Sequence, residues 1–226
     1  MEELLERPDG PLYNVPMEVY LLDLNTLAGR EARAMALLTP DRREKAARLR
    51  RELPRRQCVG AGLLLRYVFG PRAPEHTPSG KPYFPGERSF SLSHSGAAAA
   101  LAVADESVGL DVQLFTQPGE ALLRRVLTEA ERQWLSGAGE GGFAFLWSRK
   151  EAVLKCLGTG ADRPLRSFSV LPGERPVLDG HRFALYSLQW KEYALSAAVA
   201  GESAFFSLRE LSAEALMPEE ARENGI

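Results

Sequence analysis

The sequence predicts an α+β protein built as two pseudo-symmetric α+β lobes with a ligand cleft between them. Three observations carry that reading. Helical stretches give way to strands in each half of the chain, and a small-residue strand recurs late in each half, AAAALAVAD at 97–105 and ALSAAVAG at 194–201. The 226 residues, 45% hydrophobic and 26% charged, suffice for a proper core in one large domain or two small lobes. The expected division is residues 1–108 and 109–226, and a ligand would lie most naturally between the two units.

The first strand is VYLLDL, Val19 to Leu24. Residues 25–69 read as helices: Thr39 stands at an N-cap position with Pro40 at the first helical position, Arg42 to Arg51 is intensely basic, and GAGLLLRYVFG closes the region as a packed apolar helix. A loop rich in proline and glycine, Pro71 to Gly80, leads into KPYF and the strand FSLSH. Ala97 to Val103 fits helix or strand by periodicity alone, but the turn DES and the strand VGLDV that follow favour a hairpin. The second half opens with a helix, then TEAERQWL, where Thr128 and Glu131 form a capping-box pattern. Gly137 to Gly142 is a break, and the helix FAFLWSRKEAVLKCLG stops at Gly158. SFSVL, HRFALYSLQW, EYALSAAVAG and AFFSL read as strands.

Charge and cysteine content exclude several classes. Lys and Arg total 28 against 30 Asp and Glu, so bulk positive charge for non-specific nucleic-acid binding is missing and any anion site must be local. Cys58 and Cys156 lack both metal-ligand spacing and a disulfide framework, which fits a reducing cytoplasm. The acidic, proline-broken start is unlike a signal peptide, and no apolar run nears the ~18 residues of a membrane span. The expectation is a cytoplasmic protein without nucleic-acid or membrane partners.

Asp111 and Gln113 lie two apart on one strand and share a face, offering one charge and one neutral oxygen. Glu151 sits in a helix among apolar residues, and Mg2+ needs only one or two protein carboxylates when phosphate and water complete its shell. SLSHSG supplies two hydroxyls, the His94 imidazole and a glycine amide, a composition suited to phosphate. It is a poor serine-hydrolase nucleophile, because neighbours on a strand point to opposite faces and no G-x-S-x-G elbow is present. Read singly, each has a plainer meaning: Asp111 a strand-end aspartate, Glu151 and Lys155 an i,i+4 surface pair, His94 a core histidine, the basic helix a solvated face.

Their order is more specific. SGKPYF, FSLSHSG, VGLDVQ and FLWSRKEAVLKCLGTG resemble the successive motifs of the Sfp-type 4'-phosphopantetheinyl transferases. The last matches W-x-x-K-E-A/S-x-x-K-x-x-G-x-G through Trp147, Lys150, Glu151, Ala152, Lys155, Gly158 and Gly160, and the resemblance spans roughly Arg43 to Gly160. It implies a monomer of two lobes holding coenzyme A in the cleft. It also implies Mg2+-dependent transfer of the phosphopantetheine arm to a serine hydroxyl of an acyl, peptidyl or aryl carrier protein, with release of adenosine 3',5'-bisphosphate.

By position the resemblance makes His94 a ligand of the coenzyme A 3'-phosphate, with Lys45, Ser93 and Arg42, and Gly80 and Lys81 contacts to the nucleotide portion. Ser91 and Lys150 join the coenzyme A set. Asp111, Glu151 and Gln113 form the metal set, Glu151 doubles as general base, and Lys155 neutralises charge on the departing bisphosphate. Gln113 stands where the family usually has Glu, and Ser91 where it often has Asn. Two rivals differ in outcome: a non-catalytic coenzyme A or carrier-binding relative would show no metal-dependent turnover, and a pyrophosphate hydrolase would release free phosphopantetheine without an acceptor.

Overall fold

A computed structural model describes residues 16–158, 163–201 and 205–218. Strand β1, Pro16–Asp23, starts earlier than its apolar run suggests, and its last residue turns the chain: Asp23 Oδ1 accepts from the Asn25 amide. A single 3-10 turn then leads to α1, Glu31–Ala36, α2, Pro40–Arg48, and α3, Glu52–Phe69. Thr39 occupies the N-cap of α2 as expected, but its hydroxyl serves the Asp41 carboxylate instead of a helix amide.

Strands β2, Glu75–His76, and β3, Pro82–Tyr83, pair as a small ribbon. They lead to β4, Ser89–Ser95, β5, Ala98–Ala104, and β6, Val108–Leu114. Residues 97–103 form a strand as expected, but not a hairpin across DES: β5 pairs with β1 and β4, while β6 enters the other sheet, and the tight turn lies instead between β4 and β5, where Gly96 takes φ +50 and Tyr193 fills the space beside it. Helices α4, Glu120–Val126, α5, Glu129–Gly137, and α6, Gly142–Leu157, follow. The α5 capping box is made in full, Thr128 Oγ1 accepting from the Glu131 amide and Glu131 Oε2 from the Thr128 amide. Strands β7, Val177–Leu178, β8, His181–Trp190, β9, Tyr193–Ala200, and β10, Phe205–Leu211, with the single turn α7, Ala213–Leu216, complete the described chain.

The expected strand SFSVL is not one. Leu165–Ser167 is a 3-10 turn, and the Val170 backbone is taken up by side chains: its N–H donates to Glu131 and its carbonyl accepts from Arg149. A segment whose polar backbone is satisfied by side chains has no need of a ladder partner.

Two four-stranded sheets result, ordered β10-β1-β5-β4 and β6-β9-β8-β7. The first carries α3 on its outer face through Leu22, Leu63, Leu64, Phe69 and Phe90; the second carries α6 through Leu146, Val153, Phe183 and Ala198. Their inner faces meet through Val19, Leu21, Ala98, Ala100 and Ala102 against Leu110, Val112, Leu195 and Ala197. Short side chains let the sheets approach closely, which explains why both β5 and β9 are alanine-rich. β10 returns from the second half to pair in parallel with β1, so the last strand belongs to the first sheet.

Candidate active site

Helix α6 and strand β6 touch backbone to backbone, because Gly109 has no side chain. A Cβ there would lie 2.0 Å from the Ala152 carbonyl oxygen and 2.3 Å from the Cys156 nitrogen. Two residues along β6, Asp111 is 6% exposed, and Lys155 on α6 meets it: Nζ donates to Oδ1 at 2.6 Å. The Ser93 hydroxyl on β4 donates to the same oxygen at 2.8 Å, while accepting from Lys155 Nζ at 3.2 Å. Oδ2 is buried and has no hydrogen-bond partner among the described residues.

Burial pushes the Asp111 carboxyl above the usual range, opposed by Lys155, Ser93 and His94. Glu151, half-buried on α6, is raised too, first by burial and then by the Asp111 charge, with Lys155 acting against both. Two carboxylates raised by burial, one of them also by the other's charge and the other with a buried bare oxygen, share too little positive charge between them. The residues present fit a divalent cation. Among the described residues no cluster of three His, Cys, Asp or Glu exists, so such a cation would take two carboxylates here and complete its shell with phosphate and water. Gln113 is turned aside, its Nε2 donating to the Leu114 carbonyl at 3.3 Å.

A cavity of about 440 Å3 opens over this cluster, reached by Arg42, Lys45, Ser93, His94, Asp111 and Lys155. The sequence names all six. His94 lies below its ordinary pKa, through burial first and then the nearby charges of Lys155, Arg42 and Lys45, so it is neutral near pH 7 in a site already rich in cations. Gln57, Cys58 and Leu92 also line the space; sequence reading passed over them, since nothing in a helical pattern tells a cavity wall from core. A second cavity of about 240 Å3 shares Arg42, Lys45 and Leu92 and adds Arg66 and His76.

Other expectations are corrected. Lys150 is fully buried and lines neither of these two cavities. Its ammonium pairs with Glu131 Oε2 at 2.9 Å and donates to the carbonyls of Leu165 at 2.8 Å and Phe168 at 2.5 Å, which uses all three donors. Lys81 also points inward: Nζ bonds Ser107 Oγ and the carbonyls of Val108 and Cys156, each at 3.2 Å, and burial lowers its pKa. Neither Lys81 nor Gly80 lines either cavity. Ser91 is 6% exposed and spends its hydroxyl on the Leu110 amide at 2.9 Å. Gly160 of the last motif lies outside the described residues.

Residues 107–200, the stretch carrying Asp111, Glu151 and Lys155, match the family model of the 4'-phosphopantetheinyl transferase superfamily. The likeness to that superfamily is thus carried by the second half of the chain. The chain is 29% identical over 181 residues to a 4'-phosphopantetheinyl transferase of Bacillus subtilis, covering 73% of this chain and 79% of that one. It is 25% identical over 170 residues to 4'-phosphopantetheinyl transferase Sfp of Bacillus subtilis strain 168, covering 68% and 76%. Among solved structures, Thermotoga maritima holo-[acyl-carrier-protein] synthase overlaps 43% of this chain and 64% of its own at 21% identity and a TM-score of 0.37, a likeness too loose to equate individual residues. Asp111 and Lys155 stand inside the matched segment, whereas Arg42, Lys45, Ser93 and His94 lie before it.

Proposed function

We propose that this protein is a 4'-phosphopantetheinyl transferase that moves the phosphopantetheine arm of coenzyme A to a serine hydroxyl of an apo carrier protein, releasing adenosine 3',5'-bisphosphate. The observation that supports it best is the convergence of two kinds of group on one cavity. Arg42, Lys45 and His94 approach from the first sheet and its helices, and Asp111 and Lys155 from the second sheet and α6. Coenzyme A carries an isolated 3'-phosphate and a pyrophosphate, so it needs two separate anion anchors.

In this reading Lys45, Arg42 and His94 hold the 3'-phosphate by charge-assisted hydrogen bonds. The pyrophosphate lies over Asp111, Glu151 and Lys155. Mg2+, held by Asp111 and Glu151, would supply charge neutralisation at the pyrophosphate. Glu151 takes the proton from the carrier serine, directly or through water. The serine oxygen forms a bond to the phosphorus that bears pantetheine, and the bond from that phosphorus to the bridging oxygen breaks. The electron pair leaves with the bisphosphate, beside the Lys155 ammonium. Gln113 has no part in this scheme.

We further read the two sheets with their helices as two lobes dividing near Val108, with β10 exchanged back to the first. Monomeric state and a cytoplasmic location are the matching expectations; among the described residues no helix is long and apolar enough to cross a membrane. The test is intact-mass spectrometry of an apo acyl carrier protein incubated with this protein, coenzyme A and Mg2+, beside an EDTA control. A metal-dependent gain of one phosphopantetheine supports the scheme. No gain on acyl or peptidyl carriers, with coenzyme A intact, favours a binding protein; free phosphopantetheine without an acceptor favours a hydrolase.

A further inference from the structure

The odd-numbered residues of β4 are all serines, and each hydroxyl accepts one backbone N–H of β6. Ser89 accepts from Val108 at 3.3 Å, Ser91 from Leu110 at 2.9 Å, Ser93 from Val112 at 3.1 Å and Ser95 from Leu114 at 3.0 Å. The offset is 19 residues each time. The two strands therefore run side by side in the same direction, joined by side-chain hydroxyls where a regular ladder would use carbonyls. Even-numbered residues point the other way: Phe90 into the core under α3, Leu92 and His94 to the cavity.

This seam is where the two sheets meet edge to edge, since β4 ends one sheet and β6 begins the other. The anion anchors are divided across it. His94 rides on β4 with Arg42 and Lys45 behind it; Asp111 rides on β6 with Lys155 above it. A slip by one repeat of the seam would shift one set against the other by about 7 Å, more than the length of a phosphate contact. Among the four serines only Ser93 lines the cavity. The other three hold the seam without touching the space a ligand would fill.

We propose that Ser89, Ser91 and Ser95 are positioning residues that fix β4 against β6 and so set the distance between the two anion anchors. The inference rests on the coenzyme A reading. A ligand that bridges both anchors benefits from a seam that is already set, whereas a ligand that uses one anchor gains nothing from it. Removing a hydroxyl leaves an amide of β6 unpaired and lets the strands part locally.

The experiment is isothermal titration of the full chain and of the double variant S89A/S95A, with Mg2+, using coenzyme A and, separately, adenosine 3'-monophosphate, which reaches only the first anchor. We expect coenzyme A binding to weaken about tenfold and adenosine 3'-monophosphate binding to stay within about twofold. S89T/S95T, which keeps both hydroxyls on strand-favouring residues, should restore coenzyme A affinity. Equal weakening for both ligands would mean general loosening and overturn the proposal, as would unchanged coenzyme A affinity in the double variant. If melting shows the double variant unfolded, Ser95→Ala alone carries the same comparison. Failure of the unaltered protein to bind coenzyme A would overturn the functional reading itself, an outcome distinct from binding that ignores the seam.

Discussion

Lys155 and Asp111 are joined twice: the ammonium donates directly to Oδ1 at 2.6 Å, and both groups bond the Ser93 hydroxyl. The carboxylate is almost fully buried while the lysine side chain is 32% exposed, so the pair is asymmetric. Lys155 can release toward a ligand; Asp111 cannot follow. Replacing Lys155 by Met strands a buried carboxylate and should cost about 1–3 kcal/mol in urea unfolding, below the range of a fully buried pair because one partner is part-solvated. The double variant K155M/D111N should regain most of that loss. If the two losses instead add, the groups are not energetically coupled.

Glu151 is held above its ordinary pKa by burial and by Asp111. A group whose folded pKa is raised adds stability below its unfolded pKa and loses it as pH rises through the folded value. Near pH 7 the ionised side chain therefore weighs against the ligand-free fold. Glu151→Gln should raise the Tm there by about 1–4 °C, with the gain shrinking toward pH 4, while transfer falls at least about 100-fold. A lower Tm together with normal turnover would remove both the pKa argument and the assignment as base.

Much of the site was legible because it rests on local pattern. The S-x-S-H-S strand, the G-x-D strand and the K-E-x-x-x-K helix each give a side-chain direction from spacing alone, and Ser93, His94, Asp111 and Lys155 do meet. Lys150 and Lys81 were misread because a lysine's reach allows it to point either way along a helix or turn. Only the tertiary positions of Glu131 and of the Cys156 carbonyl decide that. The strand at SFSVL failed for the same reason, its hydrogen bonds being supplied by residues 21 to 39 positions away. The seam was present in plain sight as S-x-S-x-S-x-S, but alternation shows only that four hydroxyls share a face.

Lys150 gives a direct contrast between the two readings. As a coenzyme A ligand its loss would raise KM in a stable protein. As the buried partner of Glu131, stacked 4.6 Å from the Phe168 ring centre, it ties α5, α6 and the 165–170 segment together. Lys150→Met should cost about 3–5 kcal/mol in chemical denaturation, through an unpaired Glu131. Coenzyme A KM of the folded fraction should be nearly unchanged; a raised KM with normal stability would restore the ligand reading.

Gly109 tests whether the close approach of α6 matters to chemistry. An added Cβ would sit 2.0 Å from the Ala152 oxygen, and backbone cannot swing away as a side chain can. Helix α6 must shift by more than 1 Å to reach ordinary contact, and Glu151 and Lys155 shift with it. Gly109→Ala should cost about 1–3 kcal/mol of stability and about 100-fold in kcat. Loss of stability with kcat intact would show that the site tolerates the displacement.

His94 provides the pH dependence. In the ligand-free protein, burial and the charges of Lys155, Arg42 and Lys45 keep its pKa below the ordinary value of 6.5, so near pH 7 it is neutral. A 3'-phosphate beside it reverses the local charge and draws a proton onto the ring. Binding of coenzyme A should then take up protons near pH 7, and affinity should fall as pH rises through the pKa of the complex. Desphospho-coenzyme A, lacking the 3'-phosphate, should show neither effect. Calorimetry in two buffers of different ionisation enthalpy measures the uptake directly. His94→Ala should abolish the difference between the two ligands; equal uptake by both would place the titrating group at the pyrophosphate end instead.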